Sequence, residues 1–194
     1  MSETEILDQH DASWSSAADF MRKIYRDSYA AELTSFPNRI LARFDRQGTV
    51  LCAAGLRSEA DGFFSEHYLD QPIELALADI VGHPVARRSV CEVTTLVSQA
   101  PHETSDFVDD IVMLAAELGF RWSFFTLTRR LALMVRHKGL SPIDLGAATA
   151  ERVPYPQSWG RYYQTSPRVF AVSGGSLPPV AISSRIRVQH AHCS

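Results

Sequence analysis

The chain has 194 residues, a formal net charge of -3, and 45% hydrophobic against 21% charged residues. This is the balance of an ordinary globular domain with enough chain to bury a core. The charge excludes a sequence-independent nucleic-acid binder, which needs a basic excess. No apolar run approaches the length of a bilayer crossing, and the acidic start MSETEILDQHD does not read as a secretory leader. The cysteines, Cys52, Cys91 and Cys193, are odd in number, and the first two fall in predicted strands. They read as reduced thiols of a cytoplasmic protein.

In chain order, SSAADFMRKIYRDSYAAEL places Ala17, Phe20, Met21, Ile24 and Tyr25 at helical spacing, with Ser15 or Ser16 as cap. RILARFDRQGTVLCAAGLRS reads as a hairpin turning at DRQG, where glycine supplies a positive φ. In FFSEHYLDQPIELALADIVGHP, Pro72 suits the first turn of a short helix and Gly82 its end. A strand SVCEVTTLVS follows, then a loop SQAPHETSD and a helix FVDDIVMLAAELGF ended by Gly119. WSFFTLT is a further strand, RRLALMVRHKGL a short helix closed by Gly139, and SPIDLGA a strand entry. SWGRYYQTSPRVFAVSGG offers one or two late strands, and the Pro- and Ser-rich remainder from Ser176 is expected to be a loose tail.

Strand–helix–strand units at this spacing require a partly parallel sheet with helices packed on its faces, and the hairpin makes that sheet mixed. The expectation is one α/β domain over residues 1–175, with residues 176–194 as tail. Within the strand Ser89–Ser98 one residue is out of place. Strict alternation puts Glu92 on the same face as Val90, Thr94 and Leu96, and a carboxylate among apolar neighbours demands a partner or a purpose.

The order CEVTTLVS, helix, WSFFTLT, RRLALMVRHKGLSPIDLG resembles the GNAT acyltransferase superfamily. EVTTLV is similar to the central strand of acyl-homoserine-lactone synthases, where a Glu precedes a Thr or Ser. FFSEHYLDQPIE, CEVTTLVS, KGLSPIDLG and SWGRYY together resemble the thermostable hemolysin family, from about Phe36 to Tyr163. The resemblance implies a GNAT-like mixed central sheet flanked by helices on both faces, and transfer of an acyl group from a thioester to an amine. The donor would be acyl-CoA or an acyl carrier protein as cosubstrate, with no permanently bound cofactor and no metal. Two departures stand out. The loop after the central strand, SQAPHETSD, lacks the Gly-rich phosphate cradle and carries Glu103 and Asp106, and Val135 occupies the place of the usual tyrosine acid.

On this reading Glu92 is the candidate base, because general-base help is worth about 10²–10⁴ in rate. The alternative is that it pairs with Arg57 or Arg88. Glu66 would recognise a cationic amine, with His67, Tyr68, Thr94 and Trp159 around the substrate and Tyr162 (or Tyr163) replacing the missing acid. The strand end Leu96, Val97 and Ser98 would meet the thioester. Arg129 and Arg130 sit in an acid-free stretch at a helix start, where the helix dipole disfavours cations, which points to coenzyme phosphates or an acidic carrier protein. WSFFTL could wall a long acyl chain. A metal at His190–Cys193 and a nucleophilic Cys91 are the weaker alternatives. Competing functions are a membrane-active hemolysin, which the absence of a spanning or basic amphipathic helix disfavours, and a non-catalytic thioester-binding module.

Overall fold

Residues 2–174 and, as backbone, 186–188 are described in the computed structural model. The order is β1 (Glu3–Asp8), α1 (Ala12–Tyr29), β2 (Arg39–Phe44), β3 (Val50–Arg57), α2 (Ile73–Val81), β4 (Val90–Ser98), α3 (Pro101–Glu117), β5 (Trp122–Leu127), α4 (Arg129–His137), β6 (Ile143–Ala147), β7 (Arg168–Ser173) and β8 (Ile186–Val188). The strands form one sheet in the order β6-β7-β5-β4-β3-β2-β1-β8. Only β4–β5 and β1–β8 are parallel, so the sheet is mixed as expected.

Helices cover both faces. Ala17, Met21 and Tyr25 of α1 pack on Ile40, Ala42 and Ala53, while Ile73 and Leu77 of α2 pack with Val90, Trp122 and Phe124 on the same side of the sheet. The odd-numbered side chains of β2, and those of β4 as far as Val93, point the other way, where Leu41, Cys91 and Val93 meet Phe107, Ile111 and Leu114 of α3. Gly82, Gly119 and Gly139 all adopt positive φ just past their helices, as expected of a glycine that ends a helix.

Several expectations need correction. The N-terminal segment, given no element in the sequence reading, is a strand antiparallel to β2. Helix α1 begins earlier, at Ala12, with Asp11 rather than Ser15 or Ser16 before it. SQAPHETSD is mostly not a loop, because α3 starts at Pro101, whose missing N–H costs nothing in a first turn. SWGRYY forms short 3-10 turns, leaving β7 as the late strand. The tail lies outside the described residues, except that Ile186–Val188 pairs with β1.

One buried arginine fastens α3 to the sheet edge. Arg43 of β2 is 1% exposed. It donates to Glu103 (2.6 Å) and to Asp110 (2.6 Å), lies 3.7 Å from Asp106, and donates to Thr4 of β1 (3.2 Å). The acidic residues at the start of α3 therefore turn back toward the sheet. Breaking a buried pair by removing one partner costs about 3–5 kcal/mol. Arg43→Met is expected to lose that much stability in urea denaturation, with a smaller loss at acidic pH, where the stranded carboxylates can take up protons. A variant as stable as wild type would show that apolar packing alone holds α3.

Candidate functional site

The parallel ladder between β4 and β5 runs from Val90 and Trp122 to Val93 and Phe125 and then stops, although both strands continue. The two strands splay. At the same place the β3–β4 register jumps from Gly55–Thr94 to Ala53–Val97, leaving a bulge at Thr95, whose φ is 50°. Gly55 makes room there, since a Cβ would come within 2.8 Å of the Thr94 side chain and 2.6 Å of Pro37. The bulge also reverses the alternation. Leu96 packs on the α3 side and Val97 on the α1 side, so Leu96 does not share the face of Glu92.

Two cavities meet at the splay. The larger, about 900 Å³ with its open mouth, is walled by Leu96, by Val108, Ile111, Val112 and Ala115 of α3, by Phe125 and Leu127 of β5, and by Leu131 and Val135 of α4. It reaches Phe120 and Gly174 beyond the start of β5, so it runs along that strand. The smaller, about 280 Å³, is lined by hydroxyl residues Ser65, Thr94, Thr95 and Thr126 and by rings of Tyr25, Phe64, Tyr68, Trp159 and Tyr162. Tyr25, Thr126 and Tyr162 line both.

Glu92 is fully buried beneath the smaller cavity and lines neither. Its carboxylate accepts from Phe64 N–H (2.6 Å), Ser65 N–H (2.9 Å) and Ser65 Oγ (2.6 Å). Ser65 Oγ lies 2.8 Å from Thr126 Oγ1. A hydrogen-bonded chain thus leads from the carboxylate to the junction of the cavities. Burial pushes the Glu92 carboxyl up, against the Ser65 hydroxyl, the two N–H groups and the charge of Arg57. Arg57 lies opposite in the β3–β4 register, but its guanidinium donates to Asp61 and Gly62 carbonyls rather than to Glu92.

Glu66 is not free to receive an amine. Its two oxygens take a fork from Arg87 (2.5 and 2.8 Å), and Oε1 also accepts from Ile73 N–H at the start of α2. Arg87 in turn bonds Glu74 and stacks 4.5 Å from the Phe63 ring centroid. Burial raises the Glu66 carboxyl, and Arg87 with the Ile73 N–H outweighs this and holds it below the usual range. The arginine lock weighed for Glu92 belongs to Glu66.

Among the other expected site residues, Tyr68, Thr94, Trp159 and Tyr162 do line the smaller cavity. The Tyr68 and Tyr163 hydroxyls are 2.8 Å apart, and burial raises both phenols, as it does Tyr162. The ring-bearing segment is held to the end of α1 by Arg161 N–H to the Tyr29 carbonyl (2.7 Å), and Gly160 is required because a Cβ would lie 2.2 Å from that oxygen. His67 instead faces outward, hydrogen-bonded to the Phe64 carbonyl. Leu96 lines the large cavity, whereas Val97 is core and Ser98 Oγ is engaged with Thr104 and Ala100. Arg129 and Arg130 are exposed on α4, beside the cavity-lining Thr128 and Leu131, with no ion pair among the described residues. Val135, in the place of the usual acid, is a wall residue. Cys91 is buried against Ser123, with its thiol pushed up to about 11, so it is not a nucleophile at neutral pH. No group of His, Cys, Asp and Glu among the described residues could hold a metal, and His190–Cys193 lies outside them. The sequence offers no signal for Ser65, Thr95 and Thr126, because a serine or threonine shows none until its partners are known, and it presents Tyr25 only as an apolar position of α1.

The chain has a GNAT-like fold. The acyl-homoserine lactone synthase BjaI, solved with SAM and isopentyl-CoA, superposes with a TM-score of 0.63 at 9% identity, covering 97% of this chain and 94% of that one. The apo TofI structure matches with a TM-score of 0.60 at 14% identity, covering 91% and 98%. FeeM, an N-acyl amino acid synthase from uncultured soil microbes, matches at 0.56 and 14% identity, covering 89% and 91%. Among curated proteins none matches in sequence. The chain belongs to the thermostable hemolysin family, whose family model matches residues 7–176. No helix among the described residues is long and apolar enough to cross a membrane.

The carboxylates give opposite pH signatures. A raised folded value means that the Glu92 contribution to stability is complete below the ordinary carboxylate range and is lost as pH rises through that value. Glu66, held low, contributes above the ordinary range and loses it as pH falls. Glu92→Gln leaves one of the two N–H donors facing an amide NH2, at a cost of about 1–3 kcal/mol. The stability advantage of wild type over this variant is expected to be largest at acidic pH and to narrow as pH rises, followed by thermal melts. An advantage that grows with pH would contradict burial as the dominant influence on Glu92.

Proposed function

We propose that this protein is an N-acyltransferase that moves a medium or long acyl group from an acyl thioester to an amine at the split between β4 and β5. The observation that carries the reading is the junction of the two cavities at Tyr25, Thr126 and Tyr162, directly above the Glu92–Ser65–Thr126 chain. A channel walled by Leu96, Ile111, Phe125, Leu127 and Leu131 is apolar along its length, which suits a flexible hydrocarbon chain. The small cavity with its hydroxyls and rings suits the amine.

In this reaction the amine nitrogen attacks the thioester carbonyl, the C–N bond forms, and the C–S bond breaks to release a thiol. The proton leaving nitrogen passes to Thr126 Oγ1, from Ser65 Oγ to the Glu92 carboxylate, and returns by the same path for the departing sulfur. Glu92 is sealed from the cavity, so it acts through Ser65 rather than by touching the amine. The edge of β4 beyond Val93, left without a β5 partner, supplies backbone donors for the oxyanion, and one such donor is typically worth about 10²–10³ in rate. Tyr162, kept protonated by burial, is placed to donate at the junction.

Arg129 and Arg130, exposed between the channel-lining Thr128 and Leu131, favour an anionic donor, either acyl-CoA or an acylated carrier protein. The CoA-dependent synthases among the structural neighbours support a thioester donor. Buried thiols at Cys52 and Cys91 suit a cytoplasmic setting. A long-chain N-acyl amine is an amphiphile, so lysis by members of this family would follow from such a product without a pore.

The test is release of free thiol from an acyl-CoA series with an amine panel. Ser65→Ala, which cuts the chain while retaining both backbone N–H bonds to Glu92, is expected to lower kcat by about 10²–10⁴; unchanged turnover would remove Glu92 from the chemistry. Ala115→Phe, filling the inner part of the channel, is expected to reduce kcat/KM for long donors at least about tenfold while sparing short ones. Equal effects on all chain lengths would place the acyl group elsewhere.

A further inference from the structure

Resting on the acyltransferase reading, we infer that Thr95 is a binding residue for the amine substrate, its hydroxyl hydrogen-bonding a polar group of that amine in the small cavity. Three independent features of this residue point the same way.

The first is backbone conformation. Thr95 has a φ of 50°. That left-handed region is costly for a β-branched residue and is normally given to glycine, as in bulges whose first residue is a left-handed Gly. Strain of this kind persists where surrounding structure imposes it, and it gathers at ligand sites. Here the register jump against β3 imposes it. A glycine would relieve the strain, and the chain instead carries a hydroxyl.

The second is the hydroxyl itself. Thr95 Oγ1 is withdrawn from solvent and has no hydrogen-bond partner among the described residues. A buried donor left unmade is expensive, and nearly all such groups in folded proteins are satisfied. The neighbouring hydroxyls differ: Ser65 and Thr126 bond each other, and Ser65 bonds Glu92.

The third is position. Thr95 lines the small cavity and not the apolar channel, whereas Thr126 lines both. Thr95 therefore stands on the amine side of the reacting junction. A group that must find its partner in the substrate selects against amines lacking that partner, because binding them leaves the hydroxyl unsatisfied. The amine substrate accordingly carries a second polar atom beside the nucleophilic nitrogen, or presents a second N–H from that nitrogen.

Thr95→Val keeps the branched shape and removes the hydroxyl, and Thr95→Ser keeps the hydroxyl. With an amine that wild type acylates, the Val variant is expected to raise the amine KM about tenfold or more and leave the acyl-donor KM unmoved. The Ser variant should stay near wild type, and Val should melt no lower than wild type. An unchanged amine KM in Val, or equal losses in Val and Ser, would overturn the assignment. If wild type releases no thiol with any donor and amine, the transferase reading fails separately. Thermal shift with the same amine panel then decides Thr95. A rise in Tm seen in wild type and lost in Val supports it, and the same response in both, including none, overturns it.

Discussion

Two backbone N–H groups and a hydroxyl converge on the carboxylate of Glu92, and the site is built from that convergence. A carboxylate taken out of water costs several kcal/mol unless its oxygens are satisfied. Phe64 and Ser65 satisfy it, and in doing so they are fastened to the middle of the sheet. The adjoining Phe63 and Tyr68 then drop into the core beside Phe124 and Val90. Ser65 is left with its hydroxyl between the carboxylate and Thr126, at the mouth of the split. The Glu66–Arg87 fork secures the other side of the same turn and starts α2. One acidic residue thus organises, and the next one braces.

The split in the sheet supplies the space. Parallel pairing ends at Val93, and the bulge at Thr95 turns the rest of β4 so that Leu96 joins the α3 side. The widening gap is roofed by α3 and α4, which are tied to each other by Lys138 and Asp109 at 2.5 Å. Arg43 holds the start of α3 from the opposite flank. The acidic side chains at that helix start turn to Arg43, while Arg129 and Arg130 at the start of α4 make no ion pair among the described residues, which is why the proposed anionic donor is assigned to them. Apolar walls, polar junction and basic rim follow from where the strands part.

The sequence carried the main lines of this arrangement because its strongest signals are local. Glycines at helix ends, periodic apolar residues and a carboxylate inside a β-branched run each speak for themselves. What stayed hidden depends on distant partners. Strand β1 reads as polar because Thr4 occupies a core position that only Asp110 and Arg43 make tolerable. Helix α3 reads as a loop at its start because its first two turns are polar, and their charges are answered from β2. Glu66 looked available because Arg87, 21 residues away, is not visibly its partner. Ser65 and Thr126 lie 61 residues apart, and nothing short of the fold brings them together. The bulge at Thr95 was illegible for a different reason: the residue type that normally announces such a conformation is absent.

The most direct measurement is mass spectrometry of small molecules released by denaturing protein purified under gentle conditions. The account predicts an N-acyl amine, or an acyl thioester, whose hydrocarbon chain is long enough to occupy the channel between Thr126 and Phe120. A retained ligand with no acyl chain, seated in that channel by competition with fatty acyl thioesters, would contradict it.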